Sequence, residues 1–446
     1  MRQEPGLRPG PRPGALPLDP AKGSGPWNHS FWVGVGGAPT QVLRGRGWPS
    51  PHAHPMDRLQ RASPFAGGTG GRGSWRVPGR SPGTFAALLA LLIVALPCFA
   101  MPPPDRVAAL QRGVNITGWF RYPASRDPGV LRRWLSDPAM ADLKRAGFTF
   151  VRLAVDPAVI DGPAMRGVLV DQVKRLQRHG LAVIVSPHPA SWNLDQNLGD
   201  RDRLAAFWHD LAPALRKLSP RLTFPEVLNE PVFHDDPTAW RSLQIDLHAA
   251  IRAALPDDTI ILTGQDWGSI AGLLAVTPDP EDPNADANVV YSFHFYDPAE
   301  LTSLAAYRPG LDRAALARLP FPEDDPTTCQ QAARSARDAA TRDLMAFYCA
   351  TGWDSARVRA RLLDAVAWSR RYGVALLAGE FGASAALNPT ARLAWLRLVR
   401  ETCAANGVFW AIWGYDDVMG FGVHRPPENR PQLDRSVLAA LGLRVP

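Results

Sequence analysis

Val374-Ala375-Leu376-Leu377-Ala378-Gly379-Glu380-Phe381-Gly382 runs apolar for five residues and then delivers an acid between glycines. A short apolar run bounded by turn residues reads as a buried strand, here with Glu380 at its end. Another acid stands 150 positions upstream in the same context, where Phe224-Pro225-Glu226-Val227-Leu228 leads into Asn229-Glu230-Pro231. Further strands are predicted near Gly113–Ile116, Phe148–Leu153, Ala182–Ser186, Thr259–Leu262, Val289–Phe293 and Val408–Ile412. Helical periodicity fills Pro138–Ala146, Met165–His179, Arg201–Lys217, Thr238–Ala254, Val358–Arg371 and Thr390–Ala405. Helix-stopping pairs Ala146-Gly147, His179-Gly180, Tyr372-Gly373 and Asn406-Gly407 precede strands. Eight strands alternating with helices across residues 113–446 predict an α/β fold, a (β/α)8 TIM barrel. A doubly wound sheet is the structural alternative, but no G-x-G-x-x-G follows the first strand.

The net charge of +7 is unevenly distributed. Residues 1–100 hold eleven basic and three acidic side chains, a net of +8, which leaves −1 for the other 346 residues. A near-neutral body has no reason to seek phosphate backbones, so no nucleic-acid partner is expected. Residues 1–83, rich in Gly, Pro, Arg and Ser, lack an apolar period and read as a disordered tail. Residues 84–100 carry the apolar run Phe85–Leu96 and end on small residues, as a secretory signal does. The run falls short of the roughly 20 residues a spanning helix needs, so a permanent membrane anchor is the lesser reading. A signal so far from residue 1 suggests that translation starts later, for example at Met56. Residues 101–446 are then the folded catalytic domain, expected to be secreted or periplasmic and to work as a monomer. Of its three cysteines, Cys329 and Cys349 could pair in an oxidising compartment, whereas Cys403 reads as a buried free thiol.

Two carboxylates at the strand ends of one barrel rim are what acid/base cleavage of a glycosidic bond requires. Arg152 and the Tyr296 hydroxyl, near Glu380, are expected to lower its pKa. Glu230 needs a raised pKa to donate a proton, and repulsion from Glu380 is the expected cause. His294 is suited to hydrogen-bond this acid, and Asn229 to hold a sugar hydroxyl. Arg152 could instead simply pair with an acid such as Asp156, and Glu226 reads as structural. Asp416 and Asp417 either line the rim or cap a loop. Among His188, His234 and His294 there is no His-x-His or H-E-x-x-H spacing, so neither a metal nor a cofactor is expected.

These residues together resemble glycoside hydrolase family 5, the cellulase-type family of retaining (β/α)8 glycosidases, over roughly Gly113 to Gly414. Val151-Arg152-Leu153 is similar to its second-strand arginine motif, and His188 in Ser186-Pro187-His188 to its third-strand histidine. Asn229-Glu230-Pro231 resembles the acid/base motif, Phe293-His294-Phe295-Tyr296 the sixth-strand His-x-Tyr, and Glu380-Phe381-Gly382 the nucleophile motif. Trp413 resembles the tryptophan flooring the −1 sugar site. Pro187 and Pro189 flank His188 where the family often has Asp and another His or Trp, a departure. The resemblance implies double displacement, with Glu380 as nucleophile and Glu230 as acid/base. It also implies a β-linked polysaccharide substrate, a β-glucan first and a mannan or another β-glycan, or transglycosylation, as alternatives. A non-hydrolytic glycan-binding barrel is the rival from another class; it would not need both glutamates.

Indoles stack on the apolar faces of pyranoses. Trp119, Trp192, Trp267, Trp353 and Trp413 fall at predicted strand ends or in the long connection and are expected to bind substrate, while Trp410 reads as core. The stretch Pro298–Ala356 is expected either to wall the cleft as a loop or to pack against the outer helices.

Overall fold

The protein is described from a computed structural model, which covers residues 101–278, 286–416, 422, 424–425 and 432–446. The tail, the signal-like segment and Asp417 lie outside the described residues. Eight parallel strands form one sheet: β1 (Arg112–Phe120), β2 (Phe150–Val155), β3 (Ala182–Pro187), β4 (Thr223–Pro225), β5 (Ile260–Thr263), β6 (Val289–Phe295), β7 (Ala375–Phe381) and β8 (Phe409–Ile412). Their order runs β4-β3-β2-β1-β8-β7-β6-β5. The remaining seam is closed by a bridge from Glu226 to Ile261, where Val227 N donates to Ile261 O at 3.1 Å. The fold is therefore the expected (β/α)8 barrel, and each predicted strand and long helix lies within a few residues of its place.

Local chemistry explains the punctuation. The helix Asp137–Ala146 starts on a Ser136 cap with Pro138 in its first turn and ends on Gly147 at φ 107°. Ser355–Tyr372 starts on Asp354 and ends on Gly373 at φ 62°. Both glycines adopt a left-handed conformation that costs other residues a steric penalty, so the chain leaves the helix there and enters a strand.

Alternation along each strand sorts side chains between two cores. Phe150, Ile184, Phe224, Ile261, Val290, Leu377 and Ala411 point into the barrel and fill its lower part. Their neighbours, such as Val151, Leu153, Val183 and Val185, pack outward against the helices. One step up the inward face, the apolar filling gives way to Arg152, Ser186, Glu226 and Ser292. The polar layer is thus set by period-2 geometry.

The connection between β6 and β7 is helical rather than a loop. It carries Ala299–Thr302, Arg313–Leu316, Pro326–Arg334 and Ala339–Thr351, and Cys329 joins Cys349 in a disulfide across the last two. Buried Leu316, Leu319, Phe321, Met345 and Tyr348 give it an apolar interior continuous with the barrel's outer core. Thr302 O accepts from Ser384 N, and Asn388 donates its side-chain amide to Ala317 and Leu319 carbonyls. The connection is therefore tied to the segment that follows Glu380. Among the described residues Cys403 is a free, buried thiol, and burial pushes its pKa up to about 12. No helix among the described residues is long and apolar enough to cross a membrane.

Candidate active site

Arg152 organises the mouth of the barrel. Fully buried on β2, it donates from Nε to Glu226 Oε2 at 2.6 Å and from Nη2 to Glu226 Oε1 at 2.9 Å. Nη1 reaches Glu380 Oε1 at 2.6 Å and Asn115 Oδ1 at 2.9 Å. Nη2 also donates to Asn229 Oδ1 at 2.8 Å and Ser186 Oγ at 3.0 Å. The partner acids are thus Glu226 and Glu380; Asp156 is not among them. Burial alone would disfavour the guanidinium's charge, but the two carboxylates hold it above the usual arginine pKa. Glu226 is structural as expected, in that it fixes the plane of Arg152.

A bulge puts Glu380 in the same layer. Phe293 faces Ala378, yet His294 faces Glu380, so Gly379 is an extra residue on β7. Without it the inward positions would be 375, 377 and 379, and Glu380 would point out to the helices. A Cβ on Gly379 would stand 2.3 Å from Ser292 Oγ, so any side chain there would force the bulge or Ser292 to move. Asn115 on β1 steadies this bend by donating Nδ2 to Gly379 O at 3.0 Å.

Glu230 follows β4 and meets His294, whose Nδ1 lies 2.8 Å from Glu230 Oε1 and 3.6 Å from Glu380 Oε2. Tyr296 donates its hydroxyl to Glu380 Oε2 at 3.0 Å. Glu230, His294 and Glu380 each offer an atom within 4.8 Å of the others. A cation could use such a spacing, but these atoms already exchange hydrogen bonds with one another, with Arg152 and with Tyr296.

Burial is the main electrostatic influence here. It raises Glu230 to about 7, against the pull of Arg121 and Arg152 and with help from Glu226. The raised value matches expectation, but its largest cause is desolvation, with Glu226 adding like-charge repulsion; the repulsion between Glu230 and Glu380 shows on Glu380. Burial also raises Glu380, opposed by His294 and Arg152, so the expected lowering is not found. Two buried carboxyls this close share a proton most cheaply, and it belongs on Glu230, which lacks an arginine partner. Burial lowers His294 to about 4 and His188 well below the usual histidine value, so both are neutral imidazoles near pH 7. Burial, then Glu380 and Glu230, raise Tyr296 well above 10 and keep it a donor.

His188 stacks near Trp413, centroids 6.2 Å apart, and among the described residues neither of its ring nitrogens has a hydrogen-bond partner. Trp413 is 2% exposed. Trp267 follows β5 at φ 54°, donates its backbone N–H to Pro231 O at 3.1 Å and lies 5.1 Å from the His234 ring. Trp192 is half-buried beyond β3, and Trp353 lies in the β6–β7 connection with Arg357 over its ring at 5.9 Å. Trp119 has to be corrected. It is fully buried, donates Nε1 to Leu131 O at 2.7 Å and stacks on Trp134 at 5.4 Å, so no sugar can reach it. Strict alternation would have put it on the inward face with Asn115; β1 is irregular between Ile116 and Phe120, and that shift turns the indole out among the helices. Trp410 is core, as expected. Asp416 bonds Thr117 Oγ1 at 2.6 Å and the Gly118 amide, tying the end of β8 to β1. Asn115 and Ser186 were missed; a polar residue inside a predicted strand was the available signal.

An inward polar layer at the strand ends, with two close carboxyls, one following β4 and one on β7, defines a glycosidase-like barrel. Residues 112–417 match the model of the family Cellulase (glycosyl hydrolase family 5), and the chain belongs to this family. It is similar to Endoglucanase 3 of Fibrobacter succinogenes, 24% identical over 69% of this chain and 49% of that one. Cellodextrinase A of Ruminococcus flavefaciens is 22% identical over 67% of this chain and 83% of its own. The chain spans about half the length of Endoglucanase 3 and 30% of Endoglucanase H of Acetivibrio thermocellus. Among solved structures, endoglucanase Cel5A of Thermotoga maritima superposes with a TM-score of 0.61 at 22% identity, covering 76% of this chain and 99% of that one.

Proposed function

We propose that this protein is a retaining glycoside hydrolase that cleaves a β-linked polysaccharide, with an endo-acting β-glucanase as the first reading. The observation that carries it is the approach of Glu230 and Glu380 to within 4.8 Å. Carboxylate oxygens approaching this closely favour the retaining arrangement, with carboxyls about 5–5.5 Å apart, over the wider inverting one. Membership of the cellulase family and similarity to endoglucanases support the same substrate class.

Glu380 attacks the anomeric carbon while Glu230 gives its proton to the leaving oxygen, forming a glycosyl ester on Glu380. Glu230, now ionised, takes a proton from water, which displaces Glu380 with overall retention. Arg152 and Tyr296 hold Glu380 oriented for in-line attack and stabilise it when it leaves as a carboxylate. His294 keeps Glu230 aimed through both proton transfers. Asn229 and His188 serve as partners for sugar hydroxyls, Trp413 floors the subsite, and Trp192, Trp267 and Trp353 border the cleft. Export to a secreted or periplasmic location fits an oligo- or polysaccharide substrate, and the chain is proposed to act as a monomer.

Azide rescue tests the roles. Glu380→Ala and Glu230→Ala should each lower kcat by about 10³-fold or more. Azide should restore turnover to both, giving the α-glycosyl azide with Glu380→Ala and the β-glycosyl azide with Glu230→Ala. Wild-type turnover by either variant would end the assignment. A panel of β-glucans and mannans would rank the substrates.

A further inference from the structure

Arg121 is a buried charge in the barrel mouth that the proposed mechanism does not use. It follows β1 directly and is 9% exposed, with its guanidinium carbon 5.9 Å from the Trp413 ring centroid and 4.8 Å from that of Tyr122. Among the described residues no carboxylate lies within ion-pairing distance of it, and its Nε has no hydrogen-bond partner. Other buried arginines are provided for: Arg152 clamps Glu226 and Glu380, and Arg392 donates to the Ala383 and Gly422 carbonyls. Asp156, beyond β2, feels the charge of Arg121 without pairing with it.

The position of Arg121 indicates what would complete it. Of the charges acting on Glu230 it is the strongest, and it also acts on Glu380, His294 and His188. It stands beside Trp413 at the strand-end rim that carries the carboxyl pair, where His188 also presents two ring nitrogens without a hydrogen-bond partner among the described residues. An unpaired guanidinium in such a place is costly unless an anion arrives.

We propose that the subsite over Trp413 takes a carboxylate-bearing sugar, a uronic acid within a β-linked glycan, and that Arg121 is the specificity-determining residue that pairs with it. This rests on the reading of the Trp413 pocket as a sugar subsite. Parallel N–H groups of a guanidinium match both oxygens of a carboxylate. Arg121 also offsets the repulsion that an incoming uronate meets from Glu380. A neutral hexose can occupy the same subsite but leaves the guanidinium bare, so the acidic sugar is preferred over it.

The test is calorimetric titration of the full chain carrying Glu380→Gln, which separates binding from turnover, with cellotetraose and its C6-oxidised, glucuronate-bearing counterpart. The acidic sugar should bind about tenfold more tightly or better. Adding Arg121→Gln should collapse that ratio towards one, and Arg121→Lys should keep part of it. Equal affinities in the Arg121 protein, or a preference that survives Arg121→Gln, would overturn the proposal. The first comparison needs no Arg121 variant, so it decides even if Arg121→Gln fails to fold. Acid-selective binding with no hydrolysis of either sugar by the unaltered chain would sink the hydrolase reading and leave the anion subsite standing.

Discussion

Arg152 holds Glu226 with two N–H groups and Glu380 with one, so the arginine is itself clamped before it positions the proposed nucleophile. Glu226 sits in the seam between β4 and β5, so the residue whose backbone bridges to Ile261 also holds, through its side chain, the arginine that aims Glu380. Removing a partner from such a buried group costs about 3–5 kcal/mol, because the remaining charge stays out of water. Glu226→Ala should therefore lose both stability and kcat, as read by denaturant unfolding and steady-state kinetics. Glu226→Gln should fold better while still depressing kcat by releasing Arg152. Unchanged kcat in folded Glu226→Gln would show that the clamp has no bearing on turnover.

The pH profile follows from Glu230. Its pKa of about 7 lies above the ordinary carboxyl value, so the proton needed for the first step persists up to that pH and is lost above it. kcat/KM should fall on the alkaline side with a midpoint near 7. The sign for stability is the same: a raised folded pKa makes this group favour the folded state at acid pH. That contribution declines as pH rises from the ordinary carboxyl range through the folded value. An alkaline limb starting only above pH 9 would contradict this.

Gly379→Ala should be a packing lesion with a catalytic consequence. Its Cβ would meet Ser292 Oγ at 2.3 Å, so the bulge must shift and carry Glu380 with it. Overpacking costs about 1–3 kcal/mol, and a misplaced carboxylate should lower kcat roughly 100-fold. Ser292→Gly removes the clashing atom, and the double variant should recover much of both. Equal damage in single and double variants would rule out this clash as the cause.

Two tryptophans should separate cleanly. Trp119→Ala removes a fully buried indole and should cost about 3–5 kcal/mol of stability without raising KM in the folded fraction. Trp413→Ala should raise KM, because its ring borders the pocket with His188 and Arg121. A raised KM for Trp119→Ala at full folding would restore it as a sugar contact.

The Cys329–Cys349 bridge spans 20 positions and should add about 3 kcal/mol. Its reduction should lower Tm while leaving kcat nearly intact, as measured by thermal unfolding with and without dithiothreitol. Loss of activity at temperatures where the reduced chain remains folded would show that the β6–β7 connection shapes the cleft.

Strand and helix placement was legible because it depends on local patterns: short apolar runs, capping residues and the glycines that stop helices. Glu230, Glu380, Arg152, His294 and Tyr296 were also legible, since acids and their partners at strand ends stand out against apolar runs. Asn115, Ser186 and Arg121 were not singled out. A polar residue in a strand can face a solvated edge, a backbone or a site, and only the register tells which.

Thus the sequence by itself determined the repeated strand–helix order and the identity of the acids, both properties of neighbouring residues. The tertiary structure decided which of those residues converge. The extra Gly379 reversed the facing of β7 and brought Glu380 inside, while the register shift between Ile116 and Phe120 in β1 turned Trp119 out among the helices. Closure through Glu226 then drew β4 and β5 together. A one-residue change of register moves a side chain to the opposite face of a sheet, and that register is fixed by contacts hundreds of residues apart.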